Sequence, residues 1–226
     1  MILITGASRG IGKYLFNKFE NSDKPVSGTF HNTLPPAENK NSFYQVDITD
    51  CNSIESWLNS INDLSNIILI NCAGTNYTSF AHKSDNEKWK EVVDVNLTGT
   101  FNVISKVLPF MREQKFGRII NFSSVVAQVG TLGASAYASS KSGLWGLTKS
   151  IAVENAKNNI TINNLNLGYF NIGMIDEVTK EYQEIIKQKI PTGNFGDPEN
   201  IFQAVNYLIK SDYINGSSID VNAGLF

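Results

Sequence analysis

Three side chains in one short stretch could act on a single carbonyl oxygen: the hydroxyl of Ser124, the phenol of Tyr137 and the ammonium of Lys141. Tyr137 and Lys141 are spaced i, i+4, so on a helix they share one face. A free tyrosine titrates near roughly 10 and exchanges protons poorly at neutral pH, but a nearby cation favours the phenolate and lowers that value. A tyrosine so placed suits general acid or base catalysis. Ser124 follows the run Arg118-Ile119-Ile120-Asn121-Phe122, which reads as a buried strand with the serine at its C-terminal end. Open α/β sheets hold their ligands at that end. The tyrosine–lysine spacing alone equally suits an ordinary surface helix, and only a nucleotide site elsewhere separates the two readings.

The first residues supply such a site. Met1 to Ile4 is a short apolar strand, followed by Thr5-Gly6-Ala7-Ser8-Arg9-Gly10-Ile11-Gly12 and then by a helical pattern with Ile11, Leu15, Phe16 and Phe19 on one side. Glycines let the chain turn tightly from strand to helix and approach a pyrophosphate, which the helix N-terminus stabilises through free N–H groups and its dipole. The spacing is G-x-x-x-G-x-G, which differs from the general G-x-G-x-x-G fingerprint.

Together with Asn71-Cys72-Ala73-Gly74, Asn96, Ser124 and Tyr137-x-x-x-Lys141, this turn resembles the short-chain dehydrogenase/reductase family in order and spacing, over nearly the whole chain. Within it, Ile190 to Glu199 is similar to a stretch of the 3-oxoacyl-(acyl-carrier-protein) reductases. The resemblance implies that Ser124 holds a substrate carbonyl, that Tyr137 donates a proton to the developing alkoxide, and that Lys141 lowers the tyrosine pKa and bonds the nicotinamide ribose. Asn96 would hold a water relaying protons to Lys141. Gly6, Ser8, Arg9, Gly10, Ile11, Gly12 and Gly168 would bind the cofactor. Asp47 and Ile48 would contact the adenine, and Asn71, Ala73 and Gly74 would line its ribose. Two positions depart from the pattern. Leu167 precedes Gly168 where a proline is usual, and Ile172 replaces a threonine that bonds the carboxamide, leaving main-chain N–H groups from Tyr169 to Ile172 to serve it.

NADP (as NADPH) is expected over NAD. No acid follows the second strand, where Thr29-Phe30-His31-Asn32 stands, and Arg9 matches the position that faces the 2′-phosphate in NADP-using relatives; His31 partly replaces a second arginine. The implied reaction is reduction of a ketone to a secondary alcohol, with a 3-oxoacyl thioester of CoA or acyl carrier protein as substrate. A sugar, polyol or secondary-metabolite ketone is the alternative, and a dinucleotide-binding regulator with faded catalysis is the alternative of another class. For an acidic carrier protein, Lys115 and Lys157 are the expected basic residues beside the active-site mouth.

The elements that must position these groups alternate strand and helix, the pattern of a doubly wound parallel α/β sheet of about seven strands with helices on both faces. After the first helix come strands at 24–29, 43–46 and 66–71, with a loop at 32–41 and a helix carrying Ile54, Trp57, Leu58 and Ile61. One or two helices fill 86–114 with a bend or break at Pro109. Then follow a strand at 117–123, the catalytic helix at 136–156, and strands at 160–167 and 217–221. Residues 168–190 are expected to form a substrate lid with Met174, Ile175, Val178, Tyr182, Ile185 and Ile186 on its apolar side.

A chain of 226 residues, 42% hydrophobic, suits one dinucleotide-binding catalytic domain spanning 1–226. A net charge of −2 gives no reason to expect nucleic acid. No stretch suits a membrane span or a signal peptide, so a cytoplasmic location is expected. Cys51 and Cys72 have no metal-ligand spacing and are expected to be free thiols. Trp145, Phe101, Leu225 and Phe226 offer apolar surface for a homotetramer.

Overall fold

Short apolar runs that alternate with amphipathic ones can bury both faces of a sheet only if every strand is covered on each side. The computed structural model, which describes residues 1–22, 24–35 and 42–225, has helices on both faces of such a sheet, with the edge strand Ser218–Val221 left partly open. Strands β1 (Ile2–Thr5), β2 (Val26–Phe30), β3 (Phe43–Gln45), β4 (Ile68–Asn71), β5 (Gly117–Ser124), β6 (Ile160–Leu167) and β7 (Ser218–Val221) form one parallel sheet in the order β3-β2-β1-β4-β5-β6-β7. The order reverses between β1 and β4, which opens a crevice at their C-terminal ends. Positions 36–41 of the expected loop, and Phe226, lie outside the described residues.

Helices α1 (Gly10–Glu20) and α8 (Pro198–Lys210) cover one face. Leu15, Phe16 and Phe19 of α1 pack with Ile201, Val205 and Leu208 of α8 over Ile4, Ile70, Ile120 and Leu165. Helices α2 (Cys51–Asn59), α3 (Asn86–Val93), α4 (Thr100–Gln114) and α6 (Ser135–Asn155) lie on the other, where Trp57, Ile104, Met111 and Ile151 pack over Leu3, Leu69, Ile119 and Ile162. A short helix, α5 (Val126–Val129), follows Ser124 directly.

Polar residues in fully buried strands need partners, and β6 carries three asparagines in ITINNLNL. One level of the sheet answers this with a side-chain chain. Asn71 Nδ2 donates to Asn121 Oδ1 (2.8 Å), Asn121 Nδ2 to Thr148 Oγ1 (3.2 Å), Thr148 Oγ1 to Asn164 Oδ1 (2.8 Å) and Asn164 Nδ2 to Ser218 Oγ (2.9 Å). The interruption expected at Pro109 lies elsewhere: α4 runs through that residue, and the departure from α geometry is a π segment at Asp94–Gly99. It carries Asn96.

Residues 168–190, the expected lid, include a small body with its own core. A 3₁₀ turn (Gly173–Glu177) and α7 (Lys180–Lys189) bury Ile175, Ile186 and Ile190 together, with Tyr169, Val178, Phe195 and Leu225 packed against them. Of the expected apolar side, Met174, Tyr182 and Ile185 stay largely exposed.

Candidate active site

Helix α1 begins without a side-chain cap and has no acidic residue in its first turn. Helices α2, α3, α7 and α8 are each capped by a side chain, Asp50, Asp85, Thr179 and Asp197 respectively. Orphan N–H groups at a helix start are satisfied by caps, water or ligands, so α1 is the one of these five left open to an anion. The turn before it is closed by glycine alone. A Cβ on Gly6 would lie 2.7 Å from Ala73 Cα, and one on Gly12 would overlap the Gly6 carbonyl oxygen. Thr29 Oγ1 accepts from Gly6 N–H at 3.2 Å and fixes the turn to β2, a contact that no local sequence signal announces.

The turn forms one end of a cleft of about 1350 Å³. Gly6, Ser8, Arg9, Gly10, Ile11 and Gly12 line it from the β1–α1 side, and Asp47, Ile48, Ala73 and Gly74 from the strand ends. Ser124, Tyr137, Lys141 and Gly168 line its centre. The uncapped helix start and the glycine cradle fit a dinucleotide.

Two expected site residues are placed differently. Asn71 is buried and turns its side chain inward to Asn121, because it belongs to the cross-sheet chain; it does not line the cleft. Asn96 is wholly buried. Its Oδ1 accepts from Thr75 N–H (2.8 Å), and its Nδ2 donates to Thr75 O (2.9 Å) and Ser140 Oγ (3.1 Å). Both amide hydrogens are spent on protein, so its side chain braces the loop after β4 and has no donor left for a water. Ser140 Oγ donates in turn to Tyr137 O at 2.8 Å, so Asn96 also steadies α6.

Ser124 Oγ accepts from Val126 N–H at 3.2 Å, and its hydroxyl is within hydrogen-bonding reach of the Tyr137 phenol. Lys141 Nζ donates to Phe122 O at 2.8 Å and sits 5.7 Å from the Tyr137 ring centroid. Burial pulls the Lys141 pKa down to about 8, with Cys72 acting weakly the other way. Burial also pushes Tyr137 up to about 12, against the bond from Ser124 that favours its phenolate. The expected lowering of the tyrosine is therefore not what the protein's own groups produce: desolvation is the largest effect on it.

Arg9 Nη1 pairs with Glu177 Oε1 of the 3₁₀ turn at 2.9 Å, with 58% and 66% of the two side chains exposed. Asp47 accepts from Thr49 N–H and Oγ1 at 2.8 and 2.7 Å and lies 3.9 Å from His31 Nε2. Of the main-chain donors expected to serve a carboxamide, Asn171 N–H is already taken by Gly196 O at 3.0 Å. Ile172 packs against the α1–α8 core, and Asn222 packs against Gly168.

Lys115 and Lys157 are not beside this mouth. Lys115 is the left-handed C-cap of α4 (φ 51°) and precedes β5, whose far end carries Ser124. At about 3.3 Å per residue the strand puts roughly 23 Å between those ends. Lys157 lies in the turn (Ala156–Asn158) before β6, at the same remote edge.

A family model described as short chain dehydrogenase matches residues 1–183. The chain belongs to the short-chain dehydrogenase family. It is 34% identical over 229 residues to a 3-oxoacyl-(acyl-carrier-protein) reductase of Rickettsia bellii, covering 99% of this chain and 95% of that one. It is also 34% identical over 239 residues to an acetoacetyl-CoA reductase of Rhizobium meliloti, covering 99% and 97%. A crystal structure of a provisionally assigned gluconate dehydrogenase from Agrobacterium tumefaciens superposes with a TM-score of 0.89 at 24% identity, over 100% of this chain and 95% of that one, which shows the shared fold. As a member of this family the protein is an oxidoreductase that uses a nicotinamide dinucleotide. Among the described residues no helix is long and apolar enough to cross a membrane.

Proposed function

We propose that the protein reduces a 3-oxoacyl thioester, carried on CoA or an acyl carrier protein, to the 3-hydroxyacyl product with NADPH. The observation that carries the substrate is the wall of the cleft beyond Ser124 and Tyr137. Tyr169, Ile175, Val178 and Ile186 of the lid region line it, together with Val126 and Leu132. An acyl chain gains from burial against such a wall, whereas a polyol would lose hydrogen bonds there. The two reductases named above support the same substrate class.

The bound nicotinamide supplies the hydride. Ser124, beside the Tyr137 phenol, offers its hydroxyl hydrogen to the ketone oxygen, and Tyr137, neutral at pH 7 with a pKa of about 12, holds the proton that the new alkoxide takes. Lys141, with one of its three hydrogens on Phe122 O, keeps two for the nicotinamide ribose and for the phenolate left by the transfer. NADP is favoured because the Arg9–Glu177 pair is solvent-exposed and so worth at most about 1 kcal/mol. The guanidinium is free to leave it for a 2′-phosphate, a stronger charge-assisted partner.

Assembly as a homotetramer is part of this reading. Phe101 on α4 and Val153 on α6 are exposed at 47% and 82%, a surface for a second copy. Trp145, also expected there, is half-buried, with its indole N–H engaged inside the chain. The test of function is loss of NADPH absorbance on mixing with acetoacetyl-CoA. Turnover of a sugar ketone with none of the thioester would overturn the substrate, and turnover of neither would favour a non-catalytic dinucleotide binder.

A further inference from the structure

Ser123 and Ser124 are neighbours in β5, so their side chains leave the strand on opposite faces. Ser124 opens on the cleft. Ser123, 3% exposed, points at α6, where its Oγ donates to the main-chain carbonyl of Lys141 at 3.0 Å and accepts from Trp145 Nε1 at 3.0 Å. The indole N–H is shared with Asn166 Oδ1 at 3.1 Å. Asn166 Nδ2 then donates to Asp220 Oδ1 at 2.7 Å, and Gln128 Nε2 of α5 donates to the same oxygen at 2.9 Å. The strand register pairs Ser123 with Asn166 and Asn166 with Asp220, so the three stand side by side across β5, β6 and β7.

The direction of this chain is fixed by chemistry. An indole N–H can only donate, so Ser123 must accept from it and has its one hydrogen left for Lys141 O. The result is that Lys141 is tied to β5 twice, by its carbonyl to Ser123 and by its ammonium to Phe122 O at 2.8 Å. The opposite side of the same helical turn is held by Asn96 through Ser140 and Tyr137 O. Gln128 carries the bracing to α5, the turn that follows Ser124.

We infer that Ser123 is a positioning residue for the reaction proposed above: its hydroxyl, oriented by Trp145, sets the turn of α6 that presents Tyr137 and Lys141 to the ketone and the nicotinamide ribose. The inference rests on the reading of Lys141 as a member of the catalytic group.

The test uses the full chain with Ser123→Ala, Ser123→Thr and Trp145→Phe. For each, kcat and KM are measured with acetoacetyl-CoA and NADPH, alongside the Tm. The accessibility and titration of Lys141 are read separately by competitive acetylation and mass spectrometry, without substrate or cofactor. The titratable groups facing Lys141 are Cys72, after β4, and Tyr137, on α6; Asn96 and the Phe122 carbonyl are uncharged. Ser123→Ala should lower kcat about tenfold with KM for NADPH within about twofold, the pattern of a lost transition-state alignment. Its Lys141 should label faster and titrate above the wild-type value of about 8 as the ammonium gains water. Ser123→Thr, which keeps the hydroxyl, should restore both, and Trp145→Phe should fall between. An unchanged kcat and labelling profile in Ser123→Ala overturns the inference. So does a loss of activity that follows Tm in all three variants with Lys141 labelling unmoved. If the wild type reduces no ketone, the substrate reading fails, and the labelling arm alone decides whether Ser123 positions Lys141.

Discussion

Replacing Lys141 with methionine should stabilise the protein at neutral pH and remove a stability gain that the wild type shows as pH rises. Lys141 is 7% exposed, and burial pulls its pKa from 10.5 to about 8. Below about 8 both the folded and unfolded states carry the proton, and the cost of burying the charge is present in full. Between about 8 and 10.5 only the unfolded state keeps it, so the unfolded state binds more protons and stability rises with pH. That gap, at 1.36 kcal/mol for each pH unit, is worth roughly 3 kcal/mol. Methionine fills similar volume but orphans Phe122 O, at about 1 kcal/mol, so the variant should gain roughly 2 kcal/mol at pH 7. Tyr137 acts in the opposite sense. Its folded pKa of about 12 against 10.0 makes its contribution fall only between those values, so the series stops at pH 10. Urea unfolding of both proteins in a Cys72→Ala background without cofactor, at intervals from pH 7 to pH 10, gives the difference free of Cys72, the titrating group coupled to Lys141. Most of the gap should close over that range. A wild-type minus variant difference that moves by less than about 0.5 kcal/mol would refute the burial of a charged ammonium here.

Three further outcomes are expected. Tyr137→Phe should abolish turnover while NADPH binding, followed by fluorescence, stays nearly intact; retention of more than about a tenth of kcat would exclude it as the acid. Arg9→Ala should weaken NADPH by about 10- to 100-fold and NADH scarcely at all, and an equal loss for both would overturn the 2′-phosphate contact. Reduction should hold steady below about pH 8 and fall above it, as Lys141 loses the proton that stabilises the phenolate; an alkaline limb near 10.5 would contradict the shift to about 8.

Alternating apolar runs and their glycine punctuation carry the sheet almost unaided: the strand expected at 160–167 is β6 to the residue. Local patterns also mark the uncapped start of α1 and the tyrosine–lysine face of α6. What escaped is what tertiary contacts decide. DVNLTG has no signature of a π turn, whose extra residue is stabilised by Asn96 bonding Thr75 and Ser140. Trp145 reads as surplus apolar surface because its acceptors are on strands 22 and 21 residues away in sequence. Glu177 is 168 residues from Arg9. Lys115 is a different kind of miss. Strand length alone sets it at the far edge from Ser124, so within one chain it cannot steer a carrier protein to this mouth.

Desolvation, which dominates the Tyr137 pKa, also sets the resting protonation of the proposed acid. With the phenol near 12 the acid is fully protonated at neutral pH and ready to donate. Once the proton has left, the buried phenolate has a cation within reach, because Lys141 is held by Phe122 O and Ser123 on the same helical face. The lysine then stabilises a charge that exists only after proton transfer begins, and such an interaction lowers the barrier without deepening the ground state. An ammonium free to reach solvent would lose that advantage to screening. The double anchoring of Lys141 to β5 thus serves electrostatics as much as geometry.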